Sequence, residues 1–72
     1  MQIGELSKAT ETAIETIRFY EREQLISPAE RTTGNYRIYS SGHLEQLRFI
    51  RNCRALDMSL EEIRELMELR EQ

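Results

Sequence analysis

The sequence contains one cysteine, one histidine and one proline, and it has no long apolar run. A single cysteine, Cys53, excludes an internal disulfide. One cysteine and one histidine also exclude a self-contained zinc site of the usual four-ligand kind. No segment approaches the roughly 18 apolar residues that a membrane-spanning helix needs. The opening residues Met1-Gln2-Ile3-Gly4-Glu5 lack the basic region and apolar stretch of a secretory signal. There is no Gly-rich phosphate loop, no CxxC, no HExxH and no nucleophile with a plausible triad, so no catalytic constellation is expected. With 72 residues the chain is one small domain. A domain of this size buries only about 60% of its unfolded surface, which leaves little room for a deep catalytic pocket. The lone thiol fits a reducing cytoplasm.

The formal net charge of −3 argues by itself against a nucleic-acid binder, but the average hides a pattern. Residues 31–54 hold five arginines (Arg31, Arg37, Arg48, Arg51, Arg54) against one acid, Glu45. The flanking segments 1–30 and 55–72 are both net acidic. A basic middle between acidic ends matters more for partner choice than the total does. All the basic residues except Lys8 are arginine, the side chain suited to forked contacts with phosphates and base edges.

Residues 3–10 read as a short helix with Ile3, Leu6 and Ala9 on one side. Thr10-Glu11-Thr12 breaks it. Thr12 followed by Glu15 has the capping-box spacing, which predicts a second helix from about Ala13 to Glu23. Ala13, Ile14 and Ile17 form its apolar face with Tyr20 at the edge, while Thr16, Arg18 and Phe19 fall off it. Two helices joined by a three-residue turn follow the helix-turn-helix plan. Pro28 stops any further helix, and Thr33-Gly34-Asn35 reads as a turn. Tyr36-Arg37-Ile38-Tyr39 alternates and is rich in β-formers, with a partner strand expected near Glu30 to Thr32. An isolated hairpin is marginal in water, so it must lean on the helices. Ser40 or Ser41 caps a third helix that runs to about Leu56, with Leu47, Phe49, Ile50, Cys53 and Leu56 on its apolar side. Ser59 and Glu62 form a capping box for a fourth helix from about Leu60. Its buried stripe is Leu60, Ile63, Leu66 and Met67, with Leu69 alongside. The expected fold is mostly α: a winged helix-turn-helix of four helices and a two-stranded β-hairpin wing.

Thr16, Arg18 and Tyr20 lie in the second helix, where a helix-turn-helix makes its base-edge and phosphate contacts. Arg18 can fork to a guanine, and Thr16 can touch a thymine methyl or a phosphate. On the wing, the hydroxyls and guanidinium of Tyr36, Arg37 and Tyr39 suit phosphate contact. For Tyr39, packing of the wing against the helices is an equal alternative. Arg54 ends the basic strip on the third helix and suits a phosphate clamp. His43 reads as a surface or first-turn histidine rather than a base. Glu61 and Glu65 are helical neighbours on a solvated face. Cys53 reads as a buried small hydrophobe, with a metal or redox role in a shared site left open.

The run Ile3-Gly4-Glu5-Leu6-Ser7-Lys8-Ala9-Thr10, then Thr16-Ile17-Arg18-Phe19-Tyr20-Glu21, Gly34-Asn35-Tyr36-Arg37-Ile38-Tyr39 and Leu47-Arg48-Phe49-Ile50, resembles the DNA-binding domain of MerR-family transcriptional regulators. The resemblance covers essentially the whole chain. The stretch from Phe49 to Leu60 is most similar to the cadmium- and lead-responsive branch. The resemblance implies a bacterial cytoplasmic regulator that binds a dyad operator as a homodimer, within a promoter whose spacer is over-long. Effector binding then distorts that promoter so that RNA polymerase engages both elements, which is indirect readout put to use. Carried over by position, the recognition-helix residues are Thr16, Arg18 and Tyr20. The wing residues are Arg31, Asn35, Tyr36, Arg37 and Tyr39, and Arg54 is the phosphate clamp.

Members of that family continue into a long dimerisation helix and a cysteine-rich metal loop, and these 72 residues hold neither. No cofactor is expected in this chain, and a heavy-metal ion is expected in the longer protein. Arg70-Glu71-Gln72 carries no helix stop signal, which favours a fragment of a longer regulator over a free-standing module. Two alternatives stay open at this point. One is an excisionase-like architectural DNA-binding module. The other is a protein-interaction domain that uses the acidic fourth helix.

Overall fold

A computed structural model describes residues 1–70. The order of elements is α1 (Ile3–Thr10), α2 (Ile14–Arg22), β1 (Glu30–Arg31), β2 (Arg37–Ile38), α3 (Ser41–Ala55) and α4 (Leu60–Arg70). This is a winged helix-turn-helix, as the sequence pattern predicts.

The α1–α2 turn forms differently from its sequence reading. Thr12 does not cap α2: Ala13 is the N-cap residue, in extended conformation, and Glu15 is then one position too early for the box. The Thr12 hydroxyl instead donates to Thr10 O at 3.1 Å, and Ser7 Oγ donates to Thr12 O at 2.6 Å. Glu11 adopts a left-handed conformation, φ 51°, and Thr12 N–H returns to Ser7 O at 3.1 Å. That pattern closes the end of α1 and uses up the threonine that would have opened α2. Ala13 and Ile14 consequently lie exposed rather than on the buried face, and Ile17 alone of α2 is fully buried.

The core is small and continuous: Leu6, Ile17, Leu25, Ile26, Tyr39, Leu47, Ile50, Cys53 and Ile63. Every element contributes except the two strands themselves; Tyr39 immediately follows β2. On α3, His43, Leu47, Ile50 and Cys53 recur at helical spacing and face inward. Ala9, Leu56 and Leu69 were expected on apolar faces and are exposed. Leu56 is the C-cap of α3, beyond its last buried turn. Thr10 is fully buried, and its hydroxyl is satisfied by Leu6 O at 2.7 Å, so it serves the core without an orphaned donor.

His43 departs from the expectation of a surface group. It sits in the first turn of α3 but is 5% exposed. Ser40 N–H donates to Nδ1 at 3.0 Å, so the proton lies on Nε2, which reaches Ser27 O at 3.0 Å and Pro28 O at 3.2 Å. One ring thus caps α3 and fastens the loop that leads to the wing. The Ser59–Glu62 box forms as the spacing predicts, with Glu62 N–H to Ser59 Oγ at 3.1 Å and Ser59 N–H to Glu62 Oε1 at 2.8 Å. The Ser59 N–H, with a smaller contribution from the Ser59 hydroxyl, holds the Glu62 carboxyl below its ordinary pKa. The C-terminal Glu71-Gln72, on which the expectation of an uncapped end rests, lies outside the described residues.

Candidate nucleic-acid interface

Helix α2 sets the site because only one of its faces is anchored. Ile17 points into the core, so the opposite ridge projects outward and carries Glu15, Phe19 and Arg22. Phe19 remains partly exposed there and tilts against Tyr20, with ring centroids 6.0 Å apart. The two flanks of α2 open into two separate grooves.

The groove on the wing side is lined by Arg18, Glu21, Arg22, Pro28 and Arg37. Arg18 and Arg22 are helical neighbours at (i, i+4), and Arg37 faces them from β2. Three guanidiniums against one carboxylate make this groove net positive. The groove on the α3 side is lined by Thr12, Ala13, Thr16, Tyr20, Leu47, Arg51 and Arg54, with Glu11 at its rim. Arg51 pairs with Glu11 at 2.6 Å, both side chains being more than half exposed. Such an exposed pair contributes only about 0–1 kcal/mol, so Arg51 can exchange its partner for a phosphate at little cost. One arm of Arg54 donates to Met58 O at 3.0 Å, which orients the guanidinium at the end of α3.

The wing is a two-stranded antiparallel hairpin with Glu30 opposite Ile38 and Arg31 opposite Arg37. Asn35, not Gly34, takes the left-handed conformation, φ 66°. Asn35 N–H donates to Thr32 O and Thr32 N–H to Tyr36 O, both at 2.9 Å, a turn followed by a left-handed residue. Arg31 Nη1 reaches Asn35 Oδ1 at 3.2 Å and staples the loop. A Cβ at Gly34 would lie 3.1 Å from the Tyr36 ring, a tight contact that a shift of that exposed ring would relieve. Tyr36 is 68% exposed and lies over that turn. Arg31, Asn35, Tyr36 and Arg37 are all on the open surface of the wing.

Tyr39 is not on that surface. It is 1% exposed, and its hydroxyl donates to Glu21 Oε1 at 2.8 Å. Its ring meets His43 edge-on at 5.1 Å. The packing alternative is therefore the one realised, since alternation along β2 turns Tyr39 inward where Tyr36 points out. Burial and the Glu21 carboxylate push its phenol above the usual pKa, against the opposing influence of Arg37.

The structure thus gathers the expected residues into three places. Arg18 and Arg37 share one groove, Thr16, Tyr20 and Arg54 share the other, and Arg31, Asn35 and Tyr36 form the wing tip. Sequence reasoning missed Arg22 and Arg51 as groove residues. The signal was present in their spacing, four residues after Arg18 and three before Arg54.

The described residues do not fit a metal ion. Among them no group of three or more histidine, cysteine, aspartate or glutamate side chains converges. Cys53 is buried within the apolar core, and both ring nitrogens of His43 are engaged. Among the described residues no helix is long and apolar enough to cross a membrane.

Residues 1–69 match the family model described as "MerR HTH family regulatory protein". The chain is 54% identical over 69 residues to the ZntR homolog of Haemophilus influenzae, covering 96% of this chain and 51% of that protein. It is 46% identical over 69 residues to the transcriptional regulator ZntR of Escherichia coli K12, covering 96% of this chain and 49% of that one. Among solved structures, the transcription regulator PbrR691 from Ralstonia metallidurans CH34, in complex with lead(II), superposes with a TM-score of 0.92 at 51% identity. That superposition covers 99% of this chain and 56% of PbrR691. The chain spans about half the length of the curated relatives it matches. These relatives are regulators rather than enzymes, in agreement with a sequence that carries no catalytic constellation. Match, identity and fold agree: the chain belongs to the MerR family of helix-turn-helix regulatory proteins.

Proposed function

We propose that this chain is the promoter-binding module of a heavy-metal-responsive transcriptional regulator of the cadmium and lead type. The observation that carries the reading is the pair of arginine-lined grooves on either side of α2, with an exposed wing beside one of them. In this reading α2 enters the major groove of double-stranded promoter DNA. Arg18 forks to a guanine edge and Thr16 meets a thymine methyl or a phosphate. Tyr20 and Arg54 hold the backbone on the α3 side. Arg31, Asn35, Tyr36 and Arg37 hold it on the wing side, and Tyr39 supports the wing from within.

The longer protein acts as a homodimer in the bacterial cytoplasm on a dyad promoter with an over-long spacer. It distorts that promoter so that RNA polymerase engages both elements. The metal response is supported by the similarity to PbrR691, which was solved in complex with lead(II). The metal would be held by other parts of the regulator, because the donor set described above does not suit one.

A fluorescence-anisotropy titration on a dyad promoter duplex, with a scrambled duplex as control, tests the reading at low and moderate salt. Preference for the dyad that survives moderate salt is the expected result. Equal binding to both duplexes, lost together as salt rises, leaves only a basic strip and overturns it.

A further inference from the structure

We infer that Arg64 on α4 is a positioning residue for the recognition helix. This rests on the reading of α2 as the element that enters the DNA groove. Arg64 Nη1 donates to Glu23 O at 2.8 Å, a bond across 41 positions of sequence. Glu23 is the C-cap of α2, and the next residue, Gln24, turns the chain through a left-handed conformation, φ 60°. The acceptor is therefore one of the carbonyls that a helix end leaves without an internal partner. A guanidinium there meets the negative end of the helix dipole. The contact is directional and charge-assisted, unlike the apolar contacts around it.

The rest of the Arg64 environment fixes its aim. Its neighbour Ile63 is fully buried and anchors α4 in the core. The Arg64 side chain is 30% exposed, and its Nε is buried without a hydrogen-bond partner. Glu61 Oε1 lies 3.6 Å from that Nε, beyond hydrogen-bond reach. The guanidinium thus makes one side-chain hydrogen bond, to Glu23 O, beside a looser ion pair with Glu61. It lies in a small pocket closed by Gln24, Leu25, Met67 and Glu68, where α4 meets the end of α2. The N-terminal half of α2 is held by the turn from α1, and its middle by Ile17. Arg64 adds a polar hold at its far end, on the terminal carbonyl, where Glu21 two residues earlier is tied to the wing. A shift of α4 then changes the pose of α2, and with it the aim of Arg18 and Arg22.

The test uses the full-length protein and two duplexes, the dyad promoter and its scrambled control, with thermal unfolding followed by circular dichroism. The variants are R64M, R64K, R18A and the double R18A/R64M. R64M keeps the aliphatic stem and removes the donor. It is expected to lower the ratio of dyad to scrambled affinity about tenfold, the scale of coupling through a shared element. Scrambled binding stays near the wild type, while the lost hydrogen bond lowers the unfolding temperature only modestly. R64K restores most of the ratio, because an ammonium still reaches the carbonyl. In the R18A background R64M lowers the ratio by less than it does alone, since one of the contacts it misaims is already gone.

Equal loss on both duplexes that tracks a lowered unfolding temperature would make Arg64 merely structural and overturn the inference. So would full additivity with R18A, or an unchanged ratio in R64M. If R64M does not fold, R64Q with R64K as its rescue carries the same comparison. An R18A protein that keeps its dyad preference overturns the reading of α2 itself, and the role of Arg64 falls with it.

Discussion

The Tyr39 hydroxyl donates to Glu21 Oε1 at 2.8 Å, joining the end of the wing to α2. The other oxygen of Glu21 accepts from Ala29 N–H at 3.4 Å, on the approach to β1. One carboxylate on α2 therefore receives both strands of the wing. A hairpin with two residues per strand has too little of its own to hold a fixed angle to the helix. This contact helps to set that angle, together with the backbone bond from Tyr39 N–H to Met1 O at 2.7 Å, and Arg37 lies across the groove from Arg18.

Tyr39→Phe keeps the ring in the core and removes the hydroxyl. It should destabilise the domain by about 0.5–1.5 kcal/mol, the net worth of such a bond. Urea unfolding of the wild type and the variant measures it. An unchanged midpoint would mean that Glu21 and Tyr39 do not hold the wing in solution.

Alkaline pH should act through the same residue. The phenol is raised above 10.0 in the folded chain. Its contribution is therefore fully present below the pKa of an unfolded tyrosine and is lost as pH rises through the folded value. Unfolding midpoints measured through the alkaline range should fall more steeply for the wild type than for Tyr39→Phe. Parallel curves would place the alkaline sensitivity elsewhere.

Arginines in the two grooves should separate by duplex. Arg18→Ala is expected to cost about 1–3 kcal/mol on the cognate site and to relax specificity at one base pair. Arg37→Ala and Arg54→Ala should weaken all sequences alike and flatten the salt dependence, as phosphate contacts do. Binding curves at several salt concentrations on dyad and scrambled duplexes distinguish them. A sequence-selective loss in Arg37→Ala would move that residue from backbone to base.

His43→Ala opens a hole beneath Tyr39 and strips Ser27 O and Pro28 O of their donor. The combined cost should be about 2–4 kcal/mol, from lost packing and unsatisfied carbonyls. Chemical denaturation reads it directly. A loss under about 1 kcal/mol, the range of surface changes, would show that the buried bridge contributes little.

Cys53→Ser should also act on stability, because it puts a hydroxyl among apolar neighbours. On the proposed function, the metal response of the regulator should survive wherever the variant still folds. Loss of the response in a well-folded variant, followed by reporter transcription, would give Cys53 a role beyond packing.

Local pattern determined a good deal of this protein. The spacing of Leu47, Ile50 and Cys53 marks the inward face of α3, and Ser59 with Glu62 marks the start of α4, because both signals act within one or two turns of chain. Thr33-Gly34-Asn35 marks the wing for the same reason, and the arginines of residues 31–54 mark the charged surface. Tertiary structure decided what depends on distant neighbours. Thr12 has the spacing of a cap, but closure of α1 by Ser7 and Glu11 claims it first. His43 has the composition of a surface group, yet the carbonyls of Ser27 and Pro28 draw it inward and satisfy it. Tyr39 follows β2, and alternation turns it inward, but its hydroxyl's partner, Glu21 on α2, is brought within reach only by the packing. The bond from Arg64 to Glu23 has no sequence signature, since its acceptor is a backbone carbonyl present at every residue. Which carbonyl lies at an open helix end, within reach of which guanidinium, is set only when the helices pack.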